Sequence, residues 1–124
     1  MPHIKRTAKE PPITAHPALW YAMGVVEVLF NGNIARKPVF TSFNDGKHRK
    51  GSLHYQDRAF DFGMNKGRTN NASESMRLQL ITELRAWLEP LGFDVVYESP
   101  GTQNCHGHVE YDPELGDKFW TVVD

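Results

Sequence analysis

The chain has 124 residues, with 14 basic against 15 acidic side chains and a formal net charge of −1. That length suits one domain with a single core, and the near-neutral balance excludes the electrostatic footprint of a surface for nucleic acid or an anionic membrane. The single cysteine, Cys105, excludes an intramolecular disulfide.

Residues 1–12 carry Lys5, Arg6 and Lys9 but lack the apolar stretch and small-residue cleavage signal of a secretory leader. They are expected to form a flexible arm ahead of one domain spanning 13–124, and the protein is expected to stay in the cytoplasm at synthesis. The longest apolar stretch, 22–30, is broken by Glu27 and is too short to span a bilayer, so no membrane partner is expected.

Leu19, Trp20, Met23, Val26 and Phe30 recur at helical spacing behind Pro17, which predicts a helix over 17–30 that stops at Asn31-Gly32-Asn33. Residues 38–43 are β-prone and end in the turn signal Asn44-Asp45-Gly46. A loop continues through 48–51, and an extended segment resumes at 59–62 with Ala59 and Asp61 on one face. Residues 63–73 show no periodicity and read as a loop bordering a site. Asn71, three residues before Glu74, resembles a capping box, and Met76, Leu80, Ile81, Leu84, Trp87, Leu88 and Leu91 form an apolar stripe. A helix is predicted over 72–89, ended by Pro90-Leu91-Gly92, then strands over 93–98 and 106–111 with a loop between them. Phe119, Trp120, Val122 and Val123 predict that the tail packs as a final strand or strand-like cover. The order of elements predicts an α+β fold, a small antiparallel sheet with two helices.

The chemistry concentrates in His54, Asp61, His106 and His108. His106 and His108 share a strand face at i, i+2. Two imidazoles and a carboxylate holding one zinc ion leave a fourth position for water, which separates catalytic from structural zinc. The alternative for His54 and Asp61 is a buried hydrogen-bonded pair with no metal. Cys105, although next to His106, should face away from both histidines and reads as a small apolar residue.

These residues carry a resemblance. Ser52-x-His54 with Asp61, followed late by His106-x-His108, resembles the zinc metallopeptidases of the D-alanyl-D-alanine carboxypeptidase and dipeptidase group. Asp45-Gly46-Lys47-His48, Ser52-Leu53-His54-Tyr55, Arg58-Ala59-Phe60-Asp61 and Gly92-Phe93-Asp94-Val95-Val96-Tyr97-Glu98-Ser99 resemble the signalling domain of hedgehog proteins, which is similar to those peptidases in fold and zinc site. The likeness covers residues 39–111.

The resemblance implies a zinc domain in which His54, Asp61 and His108 are the ligands of Zn2+ and His48 and Ser52 contact substrate. The implied activity is hydrolysis of an amide in bacterial cell-wall peptides, as by a phage or prophage endolysin released to the wall. The other implied outcome is a non-catalytic, hedgehog-like zinc domain acting as a binding module. Asp57 stands where the family usually has Gly, at a turn that Asp tolerates. Cys105 stands where many relatives place a catalytic Glu or Asp. That leaves Glu98 and His106 as the two candidates for the general base, His106 also reading as a hydrogen-bonding support for the site. Arg36, Arg49 and Arg58 are candidates for binding a substrate carboxylate.

Overall fold

The structure, a computed structural model, describes residues 3–4, 17–43 and 58–112. In chain order the elements are β1 (His3–Ile4), α1 (Pro17–Ile34), β2 (Val39–Ser42), β3 (Ala59–Gly63), α2 (Glu74–Leu88), a single 3-10 turn (Glu89–Leu91), β4 (Phe93–Glu98) and β5 (His106–Tyr111). The strands form one sheet in the order β1-β2-β3-β5-β4. β2, β3, β5 and β4 pair antiparallel, and β1 adds to β2 in parallel. The α+β class expected from the sequence is therefore what forms. Among the described residues, no helix is long and apolar enough to cross a membrane.

One face of the sheet is apolar because alternate strand residues point the same way. Phe60 and Phe62 of β3, Phe93 and Val95 of β4 and Val109 of β5 are buried in one cluster with Met23, Val26 and Phe30 of α1 and Leu80, Ile81, Leu84 and Leu88 of α2. Both helices thus lie on one side. The rings of Phe30 and Phe62 meet edge to face at 6.3 Å, joining α1 to the central strand. Cys105 is buried in this cluster, on the opposite face from its neighbour His106, as strand alternation predicts.

Three local expectations need correction. α1 runs past the expected stop at 31–33 to Ile34, and Ala35, with φ at 59°, ends it by bonding its N–H to the Asn31 carbonyl. Ile34 is 4 % exposed, and burying it contributes about 1.5–3 kcal/mol. A mid-helix glycine costs only about 1 kcal/mol, so burial wins. At α2 the cap is Ser73, whose hydroxyl accepts from the Met76 N–H, and not Asn71, which sits in a left-handed conformation within the preceding turn. The apolar stripe of α2 is also narrower than expected. Met76, Trp87 and Leu91 are exposed, and Arg77 is buried beside Leu80, Ile81, Leu84 and Leu88. On α1, Trp20 is likewise half exposed. A stripe read from helical spacing alone does not say which of its members another element will cover, and these side chains are left exposed.

The tail expected to cover the core lies outside the described residues, as does the arm beyond His3 and Ile4.

At Gly107 the ring of Phe62 packs directly against the backbone of β5. A Cβ there would fall 2.2 Å from Cζ of Phe62, whose ring fills the space. Gly107→Ala should therefore cost about 1–3 kcal/mol through overpacking. Chemical denaturation should show a lower midpoint with an unchanged slope, and an unchanged midpoint would mean that the Phe62 ring is free to move aside.

Candidate active site

The face of the sheet turned away from the helices is polar, and the register of its strands defines three rows. Gly63, His106 and Glu98 are cross-strand neighbours in the first. Asp61, His108 and Val96 make the second, and Ala59, Glu110 and Asp94 the third. Four of the residues singled out in the sequence, Asp61, Glu98, His106 and His108, therefore meet on one surface.

His108 is held from both sides. Its Nδ1 lies 2.7 Å from Oδ1 of Asp61, and its Nε2 lies 3.4 Å from Oε1 of Glu110. Glu98 approaches the same Nδ1 at 3.9 Å. Since a carboxylate only accepts, a ring with carboxylates at both nitrogens is most stable with both protonated. Burial opposes that charge, but the hydrogen bonds and negative charges of Asp61 and Glu110 outweigh it and push His108 up from 6.5 to about 10. Asp94 is raised in turn, first by burial and then by the facing Glu110.

His106 is oriented differently. Its Nδ1 donates to the Asn104 carbonyl at 2.7 Å, and this fixes the proton there because a carbonyl has none to give. In the neutral ring Nε2 then carries a lone pair, and it faces Oε2 of Glu98 at 3.3 Å. Glu98 and His106 thus form a carboxylate–imidazole pair across two neighbouring strands.

Two further side chains belong to this face without having been singled out. Glu110 continues the alternation of His106 and His108 at i+2, so the strand period could have found it. Arg68 had no such signal, lying in a loop without periodicity. A Cβ on Gly63 would sit 2.5 Å from Cγ of Arg68, so the arginine stem lies across Gly63 on the side of Asp61 and His106. Of the arginines proposed for a substrate carboxylate, Arg36 is committed to the Gly67 carbonyl. Arg58 precedes β3, where its carbonyl accepts from the Tyr111 N–H. Arg49, His48, Ser52 and His54 lie outside the described residues.

Among the described residues, no group of three or more His, Cys, Asp or Glu side chains is arranged to hold a metal ion. Asp61 and His108, two of the three ligands that the resemblance implies, are nevertheless in contact. Their donor chemistry, imidazole nitrogen and carboxylate oxygen, is compatible with zinc, and the His108 proton occupies the gap between them. A metal would have to displace that proton, so uptake should release it and weaken as pH falls.

No protein-family model, no curated protein and no solved structure matches the chain.

In metal-free protein, NMR titration of the imidazole resonances should place the His108 midpoint near 10, and Asp61→Asn should bring it down. The folded value lies above the unfolded one of about 6.5. The stabilisation from His108 is accordingly complete below about 6.5 and is lost as pH rises toward 10. A wild-type midpoint near 6.5 would mean that the two carboxylates do not hold the ring.

Proposed function

We propose that the chain is a zinc-dependent peptidase that hydrolyses an amide bond in bacterial cell-wall peptides, in the manner of a phage or prophage endolysin. The observation that supports this best is the meeting of Asp61 and His108 with the Glu98–His106 pair on one sheet face. Two implied metal ligands and both candidate bases there share neighbouring rows. The wording of the 52–61 segment supplies the third ligand, His54, by resemblance.

Zinc would be held by His54, Asp61 and His108, and bound there it would lend Lewis acidity to a water and to the scissile carbonyl. The rest of the chemistry falls to the chain itself. Glu98, with its side chain 44 % exposed against 27 % for His106, is the better placed of the two to reach substrate. It takes the proton of the attacking water and returns it to the leaving amine. His106, tied to Asn104, holds the Glu98 carboxylate in place. Glu110 steadies His108 from the nitrogen opposite Asp61, as outer carboxylates do for ligating histidines. His48 and Ser52 contact substrate by resemblance, and Arg68 brings a cation to the same surface.

Zinc content and peptidoglycan hydrolysis measured on the same preparations test this reading. Wild-type protein should hold stoichiometric zinc and release peptide from purified peptidoglycan. His108→Ala should lose the metal, and Glu98→Gln should keep it while losing about a hundredfold in rate. A zinc-loaded Glu98→Gln protein with an undiminished rate would transfer the role to His106. Zinc-loaded wild-type protein without turnover would favour the binding module.

A separate consequence concerns stability. A metal bound only by the folded chain adds about 4 kcal/mol at a thousandfold excess over Kd. Chelation should then lower the melting temperature by several degrees, and an unchanged melting curve after verified metal removal would show that the site does not brace the fold.

A further inference from the structure

We infer that the outer face of α1 is an interface at which two copies of this chain associate, their helix layers meeting back to back. The inference is independent of the hydrolytic reading, because α1 lies on the side of the sheet away from Asp61 and His108.

A surface helix ordinarily turns charged side chains to water, and a helix without them on any side is one that something covers. α1 is of the second kind. Glu27 is the one charged side chain among its 18 residues, although 23 % of the whole chain is charged. Its inner side packs on the core through Leu19, Met23, Val26 and Phe30. Its outer side exposes Trp20 at 49 %, Tyr21 at 51 % and Val28 at 71 %. At 3.6 residues per turn these three share one arc with Gly24 and Gly32, and Glu27 is half-buried at the margin. α2 extends this face. Arg85 donates to the Val95 carbonyl at 3.0 Å and Glu74 accepts from the Tyr97 hydroxyl, both on the edge strand β4, so the flank of α2 that carries them looks away from α1. The opposite flank, with the exposed Met76 and Trp87, borders α1, and Glu83 beside them is half-buried. Aromatic and Met side chains with few charges are the composition of an interface core.

The shape of the face selects a second copy as its occupant. Trp20, Gly24, Val28 and Gly32 follow one another at i, i+4 along a single row, large and small in alternation. A Cβ on Gly24 or Gly32 would meet nothing within 4 Å, so each leaves a notch. In two such rows set antiparallel about a two-fold axis level with Val26, Val28 of each copy lies over Gly24 of the other, and Trp20 lies over Gly32. One axis satisfies both matches, as a self-complementary contact requires. Rows of this kind interdigitate at the crossing angle commonest between helices. Charge favours the same partner, because a charge set against this arc would be desolvated and unpaired, and a second α1 brings none there. Area sets the strength. α1 is about 27 Å long, and with the bordering flank of α2 it offers roughly 500 Å² per copy, about 1,000 Å² for the pair. That is the size at which specific interfaces begin, so the dimer exchanges with the monomer.

Sedimentation velocity of the intact chain over roughly 1–500 µM tests this. The species should shift from monomer toward dimer as concentration rises. Gly24→Leu meets open space in a single copy and fills a notch only in the pair. It should raise the melting temperature of the dilute protein, since glycine is a poor helix former, and yet raise the dimer Kd at least about tenfold. Val28→Glu should weaken association comparably by setting a charge against the other copy. Glu98→Gln, on the far side of the sheet, should leave association unchanged. A monomer at every concentration, a dimer that Gly24→Leu and Val28→Glu leave intact, or a dimer that Glu98→Gln disrupts would each overturn the proposal.

Discussion

The hydrogen bond between Asp61 and His108 depends on the register of β3 against β5, and the rows of the polar face follow from that register and from that of β4 against β5. Strand side chains alternate with a period of two, so a slip of one residue would turn Asp61 toward the helices and bring Phe60 and Phe62 to the polar side. The cost of exposing those two rings forbids it. Gly107 makes the constraint sharper, since only a residue without a Cβ leaves room for the Phe62 ring opposite it. The apolar layer thus holds the polar one in place.

On the polar face, charges of opposite sign are interleaved across strands. His108 is bracketed by Asp61 and Glu110, and His106 abuts Glu98. Cross-strand partners of like charge destabilise a sheet, and Asp94, pushed up first by its burial, is pushed up further by the Glu110 it faces. A protonated His108 relieves part of that repulsion, and a cation in the proton's place would relieve it further.

The helix layer shapes the other end of the sheet. Tyr97 sits on β4 directly before Glu98 but points to the opposite face, where its hydroxyl reaches Glu74, which in turn binds Arg77. Glu98 and Arg77 are therefore connected through adjacent residues of one strand while facing different surfaces.

Much of this was legible from the chain alone. The strands at 93–98 and 106–111, the α2 helix, the shared face of His106 and His108 and the inward turn of Cys105 all follow from periods of 2 and 3.6 residues, which are local properties of the backbone. His54 lies outside the described residues, and its role is only what the resemblance implies. That the strand ending at Glu98 pairs with the strand of His106 was expected, but the row in which the two side chains meet was not legible, because it depends on how the turn after Ser99 sets the hairpin register. Nor was the second hold on His108 by Glu110, the stem of Arg68 across Gly63, the extra turn that buries Ile34, or the burial of Arg77 where Met76 and Trp87 were expected. Each of these depends on which distant element arrives at a given side chain. Local periodicity determines the face on which a residue lies, and only packing between elements decides what it meets there.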